Sequence, residues 1–335
     1  MKLVTFRDES GAERAGALYA GGTRIADLAA GHASLAAAPA PALASLQSLI
    51  EGGPAALDLA RRTFDHVAAE EAPGTWVERE AVRLLAPLPR PVQMRDFLCF
   101  EQHLKQSFRS SMELVAAQAP NPEQALKAMQ ASGRFDVPQV WYEIPIYYKC
   151  NRFSVIGPDQ DVRWPGYANL LDYELELAAV IGSGGVDIPA EKARNHIFGF
   201  TIFNDVSARD YQTREMQGML GPAKGKDFDT GNVLGPCITT ADEIEPYDLT
   251  MTARVNGEEW SRGHSSTMHH RFEACIAHVS QSESLHPGEV FGSGTVGGGC
   301  GLELKRFLSP GDVVELEIQG IGVLRNRIVK GVKEE

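Results

Sequence analysis

The stretch ANLLDYELELAAVIG, residues 168–182, sets the tightest limit on what this chain can become. It is apolar enough to lie inside a protein, and the segment HIFGFTIFNDVSARD that follows is apolar as well. Such near-continuous runs read as central strands covered on both faces. Yet the first one carries Glu174 and Glu176. On a strand these side chains leave the same face, roughly 7 Å apart along the chain. They share it with Ala178 and Val180, while Tyr173, Leu175, Leu177 and Ala179 take the other. The chain supplies its own comparison in VVELEIQ, where Glu315 and Glu317 alternate with Val314, Leu316 and Ile318. That pair reads as an ordinary solvated strand face. Carboxylates set among small apolar residues must take up protons or face a cation. Spacing alone leaves a metal site and a polar strand face both open.

Asp205 shifts the balance towards a cation, because it stands where the second apolar run ends and can project into a shared cavity. In the helix-like stretch after it, Arg209 and Gln212 are three apart and lie on one face. An arginine there can hold a substrate carboxylate bidentately, against the plainer reading of a surface ion pair with Asp210 or Glu215. The Gly-rich segment GPAKGKDFDTGN adds Lys224, Lys226 and Thr230.

Charge narrows the partners. With 32 basic and 44 acidic residues the net charge is −12, which repels phosphate backbones and anionic lipid. Nucleic acid and membrane surfaces are therefore not expected. No apolar stretch has the length of a membrane span, and the N-terminus turns charged too early for a signal peptide. The five cysteines are scattered without a CxxC pair, so neither a zinc knuckle nor a disulfide framework is expected. A reducing cytoplasm fits this usage.

The 335 residues suggest one large unit and a smaller one. Residues 1–85 read as a small N-terminal domain of short strands, with an Ala/Pro-rich surface connector around residues 29–53. The prolines of LLAPLPRPVQMRDFLCF mark a boundary, and residues 86–335 form the second unit. Residues 105–135 are helical in composition and could serve as a lid or a dimer contact. Beyond them strands and turns dominate, including an Asn256-Gly257 hairpin signal. The expectation is an α+β, β-rich protein.

The segments MRDFLCFEQH, LDYELELAAVIG, FNDVSARDYQ, GPAKGKDF and FGSGTVGGGCGLEL occur in this order and resemble the fumarylacetoacetate hydrolase superfamily, in its longer two-domain form. The resemblance implies a C-terminal domain of mixed β-roll type around a site for Mg²⁺, Mn²⁺ or sometimes Ca²⁺. It assigns the metal to Asp96, Glu174, Glu176 and Asp205, an all-oxygen set suited to a hard cation. It assigns the catalytic base to His103 with Glu303 as its partner, and Lys226 and Gln212 to the developing oxyanion. Arg209, Thr295 and Tyr148 fall on substrate-side positions. Leu98 and Met216 stand where the tyrosine-degrading members carry tyrosines, which implies a less polar pocket. Gln106 stands where the small single-domain members place a glutamate.

The activity implied is metal-dependent hydrolysis of a C–C bond in a β-diketone or acylpyruvate, with water activated by His103 and Glu303. The same enolate chemistry serves decarboxylation, hydration or isomerisation of a small 2-oxo acid. A non-catalytic metal- or ligand-binding module is the reading of another class; a base with its own orienting acid argues against it. Family members are usually homodimers. His269 and His270 invite a metal reading, but adjacent strand side chains diverge.

Overall fold

The computed structural model describes residues 1–36, 38–133 and 136–331. A long mixed sheet forms its centre. Its main path runs Trp76–Glu78, Arg24–Asp27, Glu13–Tyr19, Lys2–Arg7, Asn232–Thr240, Ile197–Asp205, Leu175–Ile181, Val290–Gly292, Met94–Phe97 and Tyr147–Lys149. The two apolar runs are antiparallel neighbours in the middle, with Glu176 opposite Phe203 and Leu175 opposite Asn204. Every residue of both strands is buried, as uninterrupted apolar patterning requires. Val290–Gly292 continues the sheet antiparallel, and Met94–Phe97 joins it in parallel, setting Asp96 opposite Gly292.

Strands from residues 1–85 extend this same sheet, since Lys2–Arg7 pairs with Asn232–Thr240. The Ala/Pro-rich tract departs from the expected surface connector. Leu43, Leu46, Leu49 and Ile50 are all buried and pack into one core cluster with Leu3, Ile238 and Val290. The reason is helical periodicity: Leu46, Leu49 and Ile50 lie at i, i+3 and i+4 of the helix Leu46–Glu51, which Ser45 caps by accepting from the Ser48 amide. Ala37, inside that tract, lies outside the described residues.

A second sheet orders Glu258–His264, Thr250–Val255, Val313–Ile318, Gly322–Lys330 and Val162–Trp164. Asn256 and Gly257 both take positive φ, 53° and 80°, at its expected hairpin. Val313–Ile318 alternates between buried and partly exposed residues, and Glu315 and Glu317 pair with Arg325 and Arg254. The expected helical stretch resolves into Glu101–Ala116 and Pro122–Ala131, the latter with no buried residue. Residues 134–135 of that stretch and 332–335 at the end of the second unit lie outside the described residues. All five cysteines are free and buried. Among the described residues no helix is long and apolar enough to cross a membrane. The architecture is α+β and β-rich.

Candidate metal and acid–base site

Three strands of the central sheet deliver carboxylates to one point, with Val290–Gly292 lying between those of Glu176 and Asp96. Asp96, Glu176 and Asp205 are buried, and each offers an oxygen within 4.8 Å of the others. Gly292 makes room for them. A Cβ there would sit 2.6 Å from Asp96 Oδ1 and 3.0 Å from Glu176 Oε2. The Gly294 amide donates to Asp96 Oδ1 at 3.2 Å and to Glu176 Oε2 at 3.1 Å. Thr295 Oγ1 lies 3.5 Å from Glu176 Oε1, and the Tyr148 hydroxyl donates to Asp205 Oδ2 at 2.7 Å. Asp205 Oδ1 is buried with no hydrogen-bond partner.

Burial, and then the charge of Asp205, pushes the Asp96 carboxyl well above the usual carboxylate range. Burial, and then Asp96, does the same to Glu176. Asp205 is pushed up to about 6 by burial, which Lys226 only partly offsets. Three buried acids at such range, one with an oxygen that no protein donor reaches, are costly unless protons or a cation bind there. The donors are all hard oxygens, so the cation they fit is of the Mg²⁺, Mn²⁺ or Ca²⁺ kind.

Glu174, expected as a fourth ligand, has other company. Lys226 Nζ lies 2.5 Å from Glu174 Oε2 and 2.5 Å from Asp205 Oδ2, and Arg209 NH2 lies 2.7 Å from Glu174 Oε1. Burial alone would raise its pKa; Arg209 and Lys226 outweigh burial and hold it well below the usual range. Arg209 is buried and makes neither of the surface pairs weighed above. Its NH1 donates to Gln212 Oε1 at 2.8 Å, which fixes the amide beside the cations. Lys226 is 3% exposed, whereas Lys224 reaches out over the Tyr167 ring and Thr230 accepts from the Arg163 amide. Only one lysine of that loop enters the site.

Asp172 is the residue that sequence reasoning missed. Its carboxylate is fully buried and accepts from Arg209 Nε at 2.8 Å, the Gly301 amide at 2.7 Å and the Leu302 amide at 2.9 Å. Asp172, Glu174 and Glu176 follow one another at a spacing of two, so the alternation already pointed one step upstream. The helix Gly301–Leu304 that Asp172 anchors carries Glu303. Glu303 Oε1 is 3.2 Å from His103 Nδ1, on the buried face of helix Glu101–Ala116. The two atoms are close but poorly aligned, and neither makes a directed hydrogen bond. The eleven residues assigned from sequence are thus linked by contacts around these acids, with Glu174 held by Arg209 and Lys226. His270 plays no part, its Nε2 lying against the Trp141 carbonyl.

Residues 114–329 match the family described as fumarylacetoacetate (FAA) hydrolase, C-terminal. The chain is 31% identical over 337 residues to the oxaloacetate tautomerase fahd2 of Xenopus laevis, covering 98% of this chain and 90% of that protein. It is 40% identical over 189 residues to human oxaloacetate tautomerase FAHD2A, a match spanning 55% of this chain and 59% of the human protein. Among solved structures, a fumarylacetoacetate hydrolase from Exiguobacterium antarcticum superposes with a TM-score of 0.71 at 28% identity, covering 99% of this chain and 100% of that one. The maleylpyruvate hydrolase of Sphingobium sp. SYK-6, solved with manganese and pyruvate, shares the fold at a TM-score of 0.69 and 20% identity, with 99% and 100% coverage.

Proposed function

The chain belongs to the fumarylacetoacetate hydrolase family, and on that premise we propose that it is a divalent-metal-dependent enzyme interconverting the keto and enol forms of an oxaloacetate-type 2-oxo acid. One observation carries the reading. Lys226 links Asp205 of the acid trio to Glu174, and Glu174 in turn is held by Arg209 and feels the charge of His103, which pairs with Glu303. The names of the relatives, tautomerases of oxaloacetate, support the substrate class.

Asp96, Glu176 and Asp205 would hold a divalent ion, which would supply Lewis-acid polarisation of the 2-oxo carbonyl, while Lys226 joins Glu174 to Asp205. His103 takes the proton from the adjacent carbon and delivers it to the 2-oxo oxygen, and carries it back in the reverse direction, in a role typically contributing about 10²–10⁴-fold. Glu303 orients the imidazole as it gains charge. Arg209 presents a guanidinium suited to a substrate carboxylate. Lys226 and Gln212 face the oxygen on which negative charge develops, each worth about 2.7–4 kcal/mol by analogy with oxyanion-hole donors. Tyr148 and Thr295 line the substrate side. Mg²⁺, Mn²⁺ and Ca²⁺ all suit the donors. We place the enzyme in the cytoplasm as a homodimer.

A second reading, hydrolysis of a C–C bond in an acylpyruvate or β-diketone, draws on the same His103–Glu303 pair, which could equally activate water. The test follows loss of enol absorbance with Mg²⁺ or Mn²⁺ for oxaloacetate enol and for a panel of acylpyruvates. Ketonisation with no new acid product supports the tautomerase. Two carboxylic fragments from an acylpyruvate would replace it with the hydrolase, and no metal-stimulated change on any substrate would remove both.

A further inference from the structure

Beside the oxygen-lined trio lies a cluster of different chemistry. His103, Cys300 and Glu303 each offer one ligand atom, and those atoms all lie within 4.8 Å of one another. His103 Nδ1 is 3.2 Å from Glu303 Oε1, and Cys300 Sγ is 3.7 Å from Glu303 Oε2. The two distances run to different oxygens of Glu303, so its carboxylate lies between the nitrogen and the sulfur, and nitrogen, sulfur and oxygen are the donor types of zinc sites. All three side chains are more than nine-tenths buried, yet His103 Nδ1 and Glu303 Oε1 have no hydrogen-bond partner. Those two free atoms face each other beside the sulfur. A cavity of about 260 Å³ lined by Gln106, Ser110 and Lys305 borders Glu303.

From this geometry we propose a second metal site, made by His103, Cys300 and Glu303, that takes a borderline-soft ion of the Zn²⁺ class and thereby inhibits the enzyme. Nitrogen, sulfur and oxygen donors select zinc over magnesium, whereas the neighbouring acids select the reverse. Burial pushes the Cys300 thiol well above its usual range, so in the absence of an ion the sulfur is protonated. Binding forms the S–Zn bond and releases that thiol proton to solvent, and no oxidant or reductant is involved. Zinc there also engages the His103 and Glu303 donors, so the general base is unavailable while it is bound. The site itself stands on geometry alone; its inhibitory consequence rests on the function proposed above.

The experiment uses the full chain in saturating Mg²⁺, as wild type and as C300S, with C300A as a second variant in case the serine destabilises the helix cap. Cobalt(II) is the spectroscopic probe, since only a thiolate ligand gives a sulfur-to-cobalt charge-transfer band. The expected result is that band in the wild type and its loss in both variants. Zinc is expected to inhibit the wild type, with the inhibiting concentration raised at least tenfold in the variants. Each rate is normalised to the same protein's zinc-free rate. A wild type with no thiolate band, or variants inhibited as strongly as wild type, would overturn the site. Failure of the oxo-acid assay in Mg²⁺ overturns the proposed function and the inhibitory role together, but leaves the band to decide the site.

Discussion

Glu174 and Glu176 leave the same face of one buried stretch and end in opposite electrostatic company. Lys226 and Arg209 grip the first, while the second meets Asp96 across Gly292. Burial acts on both, yet Glu174 is held below the usual carboxylate range and Glu176 is driven above it. One strand therefore presents a charged anchor for two cations and an acid that is stable only with a proton or a metal ion.

The two neutral variants separate these roles. Glu176→Gln removes an oxygen from the trio and is expected to weaken Mn²⁺ binding at least tenfold with a small change in metal-free melting. Glu174→Gln leaves two buried cations short of a partner, a loss of about 3–5 kcal/mol for breaking a buried pair. Metal titration and thermal unfolding of both variants check this; equal effects on both readouts would refute the division.

The raised carboxyls give the metal-free protein a particular pH dependence. Asp205 moves from 3.8 in the unfolded chain to about 6 in the fold, and Asp96 and Glu176 move the same way. A raised folded pKa gives stabilisation that is complete below the unfolded value and lost as pH rises through the folded one. Glu174 shifts downwards, so its contribution changes only on the acid side of 4.5. The metal-free melting temperature is therefore expected to fall as pH rises from about 4 to about 6, a window set by the Asp205 shift. The rise on adding Mg²⁺ should be larger at pH 7 than at pH 5, since an ion that binds only the folded state adds about 2.7 kcal/mol at a hundred times its dissociation constant. Melting curves in chelator and in excess Mg²⁺ read this directly.

Removing the base should spare the metal. His103→Ala is expected to lower turnover about 10²–10⁴-fold while Mn²⁺ stoichiometry stays at the wild-type value. Undiminished turnover with intact metal content would dispose of the acid–base role.

Asp172 should act through its two partners. It receives Arg209 and the backbone amides that open the helix carrying Glu303. Asp172→Asn is expected to lower kcat more than it raises KM. In combination with Glu303→Gln it should cost much less than the sum of the single changes, as residues acting in one network do. Additive losses would assign Asp172 a purely structural part.

What the sequence made legible follows from periodicity. The central strands, the solvated Glu315–Glu317 face and the Asn256-Gly257 turn are written in alternation and turn chemistry, and all are found. The placement of Asp205 at a strand end was readable because an apolar run stops there. Two things were not. The partners of Glu174 come from Arg209 and Lys226, 35 and 52 positions downstream, and only folding reveals that pairing. Composition hid the buried leucines of the Ala/Pro-rich tract, where a short helix turns Leu46, Leu49 and Ile50 inward.

The most direct test of the central claim is the location of a bound ion. Crystals grown with Mn²⁺ and measured for its anomalous signal are expected to show one peak bridging Asp96, Glu176 and Asp205, with oxygen distances typical of a hard cation. A peak at the His103–Cys300 cluster alone, or no peak near the three acids, would contradict the account.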